Sequence, residues 1–183
     1  MTKKVSVFLA DGFEEIEGLT VVDLLRRAGV EVTTVSITDK LTIHGAHKID
    51  VQADKMFDEV DYQMEDMVVL PGGMPGTLNL GAHEGVKKVL EQFYAAKKYI
   101  GAICAAPSVL GKYGMLEGRK ATSYSGFEAE LKGAEYTTEP VAASDFVITS
   151  RGLGTAIDFA LALITVLVSE EKANEISRSI IYK

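Results

Sequence analysis

The chain of 183 residues carries a single cysteine, Cys104. The apolar run Tyr99 to Ile103 has strand length and gives way to a helix that Pro107 suits as a first-turn residue. Gly101, Ala102, Ala105 and Ala106 flank the cysteine and permit a tight turn, so Cys104 occupies a strand-to-helix elbow of the kind that presents a nucleophile. Helix amides and the helix dipole at that place favour the thiolate and predict a thiol pKa below the usual ~8.5. A lone intracellular cysteine is also commonly a small buried hydrophobe. The elbow position favours the nucleophile.

A carboxyl group with the right placement lies far upstream. Residues 17, 21, 24, 25 and 28 follow the spacing of one helical face, and apart from Glu17 they are Val21, Leu24, Leu25 and Ala28. Glu17 therefore points inward, where desolvation favours its neutral form and makes it a candidate proton donor or shuttle. Glu14 and Glu15 read as first-turn acids that complement the helix dipole, and Arg26-Arg27 favour its other end. A third segment, Pro71-Gly72-Gly73-Met74-Pro75-Gly76, would let backbone amides approach a reacting centre. An N–H from Gly72 or Gly73 and one from Ala105 could together hold a developing oxyanion. The glycines are not a phosphate loop, since no Lys-Ser/Thr follows, and no dinucleotide fingerprint follows the first strand. No cofactor is expected. His44, His47 and His83 lie in turn-like surroundings as solvated or capping side chains.

These residues need a scaffold that brings three loops to one edge. Strand-length apolar runs alternate with helical patterns: Val5 to Ala10, then Ile16 to Ala28; Val32 to Ser36; Met67 to Leu70, then Val86 to Ala96; Tyr99 to Ile103, then Ala105 to Tyr113. The strands at Val5, Met67 and Tyr99 are almost continuously hydrophobic, as parallel strands covered on both faces are. The pattern predicts an α/β fold with a doubly wound, mostly parallel sheet sandwiched between helices. Ligands of such sheets bind beyond the carboxyl ends of the strands, where Asp11–Glu17, Pro71–Gly76 and Cys104–Pro107 all fall. Leu41 to Ala53 reads as a small hairpin or edge excursion, and so does Tyr136 to Ala143, which Pro140 interrupts. Phe146 to Ser150 is a further strand, and Thr155 to Val168 a strongly apolar core helix. Without a repeat or a flexible linker, residues 1–183 read as one domain.

Composition narrows the functional classes. Lys and Arg number 19 against 26 Asp and Glu, a net charge of −7, and basic residues nowhere cluster beyond a pair. Nucleic acid and anionic membranes are therefore poor partners. The longest uncharged apolar stretch, Phe159 to Val168, falls well short of the ~18 residues that span a bilayer. The start of the chain has no signal-peptide cleavage pattern, so a cytoplasmic protein is expected. One cysteine excludes an internal disulfide framework, and three scattered histidines offer no metal-ligand spacing.

With these residues in view, the chain resembles the ThiJ/PfpI superfamily, on the branch of the parkinsonism-associated protein deglycase and its bacterial relatives. The resemblance covers essentially the whole chain. It rests on residues 9–17 (LADGFEEIE), 24–30 (LLRRAGV), 68–73 (VVLPGG), 102–107 (AICAAP) and 149–155 (TSRGLGT). It implies a flavodoxin-like sandwich, usually a homodimer, with the first helix as a contact surface. It also implies that Cys104 is a reactive nucleophile and oxidation sensor, that Glu17 is protonated and hydrogen-bonded to it, and that Gly73 serves the oxyanion site. The protease relatives carry a histidine directly after the cysteine, where this chain has Ala105, so a Cys-His peptidase pair is absent there. The deglycase branch often has a histidine where this chain offers Tyr124. That tyrosine could donate a hydrogen bond to a bound carbonyl or be a core or rim residue.

Three functions follow as expectations. The first is a cofactor-independent, cysteine-dependent glyoxalase or deglycase that acts on 2-oxoaldehydes such as methylglyoxal and glyoxal, or on their early adducts, with neither glutathione nor metal. The second is an oxidative-stress sensor or chaperone whose cysteine is oxidised to a sulfinate. The third, a cysteine hydrolase or peptidase, is disfavoured by Ala105.

Overall fold

A computed structural model describes residues 2–182. Strand β1 (Lys4–Leu9), helix α1 (Glu15–Arg27) and strand β2 (Glu31–Ser36) open the chain. A hairpin of β3 (Thr42–His44) and β4 (Asp50–Gln52) follows, then β5 (Lys55–Met56) and β6 (Met67–Leu70). Next come α2 (Gly76–Ala82), α3 (Glu84–Ala95), β7 (Tyr99–Ile103), α4 (Pro107–Lys112), β8 (Lys120–Ala121) and β9 (Glu135–Tyr136). β10 (Val141–Ser144), β11 (Val147–Ser150), α5 (Ala156–Leu167) and α6 (Glu170–Ser179) complete it. The central sheet has seven strands in the order β10-β11-β7-β6-β1-β2-β5. All its neighbours run parallel except β10 and β11.

The continuous hydrophobicity of the central strands has the structural meaning expected of it. Val5, Val7 and Leu9 of β1, with Met67 and Val69 of β6, join the core under α1, α5 and α6. Phe8, Val68 and Leu70 join the opposite core, with Val89, Phe93 and Leu110 from α3 and α4. Successive side chains of a strand point to opposite faces, so a strand buried on both sides carries apolar residues on both, with Ser6 the buried polar exception in β1. In α1 the stripe of Val21, Leu24 and Leu25 is buried on the sheet, and Glu17 shares that buried face at 1% exposure.

Three details depart from the sequence expectations. Helix α4 begins at Pro107, two residues later than the pattern implied, because Cys104 turns the chain with φ +66°. Tyr136 to Ala143 is not a hairpin: β9 pairs in parallel with β8, whereas β10 extends the main sheet antiparallel to β11, and Pro140 separates them. The short α2 and the polar α6 escaped notice, since neither has a long apolar period. The hairpin expected between 41 and 53 forms, with Thr42 opposite Gln52. No helix among the described residues is long and apolar enough to cross a membrane.

Candidate active site

The loops after β1, β6, β7 and β11 converge at one end of the sheet, as a parallel α/β topology requires. Cys104 is half-buried there, just past the end of β7. Its N–H donates to the Ser150 carbonyl at 2.9 Å, and its own carbonyl accepts from the Tyr124 N–H at 2.8 Å. A non-glycine residue in the left-handed region is disfavoured by roughly 1–3 kcal/mol and persists where its surroundings over-determine it. Here backbone hydrogen bonds to two other segments hold the elbow that aims the thiol.

The sulfur receives the backbone N–H groups of Ala105 and Gly73, and the Glu17 side chain hydrogen-bonds to it. Glu17 in turn accepts from the Gly72 N–H at 3.0 Å through Oε2, and from the Leu153 N–H. Of the two glycine amides expected at an oxyanion position, Gly73 faces the sulfur and Gly72 is committed to Glu17. Neither glycine can be replaced freely. A Cβ on Gly72 would lie 2.5 Å from Glu17 Oε2 and 2.6 Å from Cys104 Cβ, and Gly73 adopts φ +90° against the Gly12–Glu14 backbone.

Burial, assisted by the charge of Glu14, pushes Glu17 up from 4.5 to about 7, against the hydrogen bonds that favour its carboxylate. The expected low thiol pKa meets a correction. Burial and the negative charge of ionised Glu17 push Cys104 up to about 12, outweighing the Ala105 and Gly73 amides. The six-residue α4 begins three residues beyond the sulfur. The two groups titrate as a coupled pair. When Glu17 keeps its proton, its repulsion of the thiolate vanishes, and the acid and both amides then stabilise the sulfur anion. The thiolate accordingly belongs to the state in which Glu17 is protonated.

Tyr124 stands at the rim with 55% of its surface exposed. With Arg151, Gly152, Leu153 and Thr155 it lines a depression of about 290 Å³ beside the thiol. Sequence reasoning placed no role on Leu153 or Gly152, although they follow a strand at the same edge of the sheet, which is the signal that could have found them.

The other acids and histidines gather contacts that spacing along the chain did not reveal. Glu15 stands in the first turn of α1, as expected, but is buried there, 2% exposed. Its Oε1 accepts from the His47 N–H at 2.7 Å, and its Oε2 lies 2.9 Å from His47 Nδ1. Burial pushes Glu15 up, but the His47 ring and backbone amides outweigh it and hold the group below its ordinary value. The same hydrogen bond raises His47. Glu14 Oε2 also approaches His47 Nδ1, at 3.2 Å, so folding assembles a Glu14, Glu15 and His47 group that spacing along the chain did not reveal. Its ligand-type atoms lie within 4.8 Å of one another, the one such group among the described residues. His83 caps α3 by accepting from the Val86 N–H, as a turn histidine was expected to do, and His44 pairs with Asp50.

Known proteins resemble this chain in sequence and in fold. The chain is 33% identical over 184 residues to Protein DJ-1 homolog B of Arabidopsis thaliana, covering 100% of this chain and 42% of that protein, so it spans less than half of that relative's length. It is 29% identical over 188 residues to the Glutathione-independent glyoxalase DJ-1 of Schizosaccharomyces pombe, with 97% of each chain covered. The structure of oxidized Toxoplasma gondii DJ-1 superposes with a TM-score of 0.95 at 36% identity, covering 99% of both chains. Residues 3–166 match the DJ-1/PfpI family, and they hold the elbow cysteine, the buried glutamate and every loop that meets them. The chain belongs to the DJ-1/PfpI family.

Proposed function

We propose that the protein is a cofactor-independent glyoxalase or deglycase that acts on 2-oxoaldehydes or their early adducts, with Cys104 as nucleophile and Glu17 as proton shuttle. The observation that carries this reading is the pairing of an elbow thiol with a buried carboxyl whose pKa is about 7, both held by backbone amides. A general acid and base works best with a pKa near the operating pH. The family match and the glyoxalase name of the fission-yeast relative support it.

In this mechanism the Cys104 thiolate adds to the aldehyde carbon of R–CO–CHO, and the carbonyl π pair becomes an alkoxide beside the Gly73 and Ala105 N–H groups. Glu17 protonates it to the hemithioacetal R–CO–CH(OH)–S–Cys104. The carboxylate then takes the C1 proton and delivers it to C2, while the hydroxyl proton passes from O1 to O2. The aldehyde carbon is thereby oxidised to a thioester and the ketone carbon reduced to an alcohol, with no external redox partner. Water cleaves the C–S bond, releasing R–CH(OH)–COOH and restoring the thiol. Tyr124 stands where it could donate to the substrate carbonyl from the rim.

Glutathione-free methylglyoxal consumption with lactate detection tests the reading. Cys104→Ala and Glu17→Gln should each lose turnover, and a fully reduced wild type without turnover would defeat it. A second reading, a cysteine-based oxidative-stress sensor or chaperone, draws on the same groups. A sulfinate at Cys104 would accept from the Gly73 and Ala105 amides and from protonated Glu17. Ready oxidation to the sulfinate in intact mass, without aldehyde turnover, would favour it. Both readings carry a cytoplasmic homodimer that meets through α1, where Ile16 is 48% exposed; a monomer in light scattering at micromolar concentration would count against the dimer.

A further inference from the structure

We propose that the site is shaped for 2-oxoaldehydes whose substituent is larger than methyl, seated on the bare backbone of Gly152 between Tyr124 and Leu153. This deepens the glyoxalase reading and rests on it for the identity of the reacting group. A Cβ on Gly152 would lie 3.4 Å from Tyr124 Cδ2, 3.7 Å from Glu17 Oε1 and 3.8 Å from Cys104 Sγ. The missing side chain therefore leaves open the corner shared by the nucleophile, the proton shuttle and the rim tyrosine. That corner is a course open to a substituent on a carbon bonded to the sulfur.

The depression next to that corner has room for more than a methyl group. The depression measures about 290 Å³, against about 30 Å³ for one water, and a methyl group is of similar size. Two of the residues that line it, Tyr124 and Leu153, are large and are 55% and 52% exposed. Some of the polar groups around them are engaged with one another. Thr155 Oγ1 meets Ser150 Oγ at 2.7 Å and accepts from the Gly152 N–H at 3.1 Å, and Arg151 donates to Ser125 Oγ at 3.0 Å. The exposed faces of Tyr124 and Leu153 offer a substituent apolar surface, beside the Tyr124 hydroxyl and the remaining donors of Arg151.

The test compares methylglyoxal with 2-oxohexanal, which share the same reacting dicarbonyl and differ only in a methyl or butyl substituent. Wild-type kcat/KM is expected to favour 2-oxohexanal by about tenfold. Leu153→Ala removes one wall and Gly152→Ala fills the corner, and each should bring the ratio of the two constants toward one. Since Gly152 has φ +158°, a conformation in which a side chain is strained, Leu153→Ala serves if the glycine variant does not fold. A wild-type ratio at or below one, or a ratio unmoved in the folded variants, overturns the proposal. If reduced wild type consumes neither aldehyde, the glyoxalase reading fails by itself, and alkylation of Cys104 followed by intact mass still decides the shape of the site. N-butyl-iodoacetamide should then react several-fold faster than iodoacetamide in wild type, with the preference lost in Leu153→Ala. Equal rates in wild type overturn it.

Discussion

Replacing Glu17 with glutamine should change how stability depends on pH more than it changes stability at any one pH. The side chain is 1% exposed, and its pKa rises from 4.5 to about 7 on folding, chiefly through burial. A carboxyl whose pKa is raised by folding favours the folded state while protonated. That contribution is complete below pH 4.5 and is lost as pH rises through 7. At about 1.4 kcal/mol for each pH unit, the loss comes to about 3 kcal/mol between pH 4 and pH 8. Glutamine does not titrate, so the variant escapes that loss. It carries one acceptor oxygen where Glu17 accepts from both Gly72 and Leu153, and an unsatisfied buried amide costs about 1–3 kcal/mol at every pH. The variant should therefore be less stable than wild type at pH 4.5 and close to it at pH 8. Urea denaturation of both proteins across this range, at one protein concentration, yields the difference directly, and groups common to both cancel. Parallel stability curves, differing by a constant within 1 kcal/mol, would refute the assignment of Glu17 as a buried acid that ionises near neutrality.

Three further outcomes follow from the same geometry. In Glu17→Gln the charge that opposes the Cys104 thiolate is gone, so the inflection in the pH dependence of iodoacetamide alkylation should move below that of wild type even though aldehyde turnover is lost; an upward shift would contradict the coupling. Gly73→Ala places a Cβ against Glu14 N and 2.6 Å from Gly12 O at φ +90°, and should lower stability by about 2–4 kcal/mol in urea while abolishing turnover. His47→Ala removes the ring that hydrogen-bonds to buried Glu15. Because folding raises His47, its stabilising effect is present at acid pH and fades as pH rises through the raised value. The Tm gap between wild type and variant should accordingly be wider at pH 5.5 than at pH 8.5, and a gap independent of pH would exclude the contact.

Much of the architecture was legible because it is written in short-range patterns. Uninterrupted apolar runs at Val5, Met67 and Tyr99 mean strands covered on both faces, and the stripe through Val21, Leu24 and Leu25 carries Glu17 inward with it. Cys104 could be placed at an elbow from its small neighbours and Pro107 alone. What escaped depends on contacts between distant segments. Glu15 and His47 are separated by 32 residues, and only the docking of the hairpin on α1 brings them together. The amide of Leu153 reaches Glu17 across the top of the sheet, and which of Gly72 and Gly73 faces the sulfur is settled by φ +90° at the second. The thiol departs from the expectation of an elbow cysteine because burial, and then the Glu17 carboxylate, outweigh the amides that face the sulfur.

The double anchoring of Cys104 has a consequence for how the site responds to time and solvent. Its amide is bonded to Ser150 and its carbonyl to Tyr124, so the backbone at the nucleophile is as well fixed as that of an interior strand while the sulfur stays half-accessible. Hydrogen exchange at the Cys104 amide should consequently be slow, requiring the opening of β7 from β11 rather than local fraying of a loop. The entropy of ordering the nucleophile is thus incurred once, when the chain folds, and an arriving carbonyl meets a sulfur already held in place.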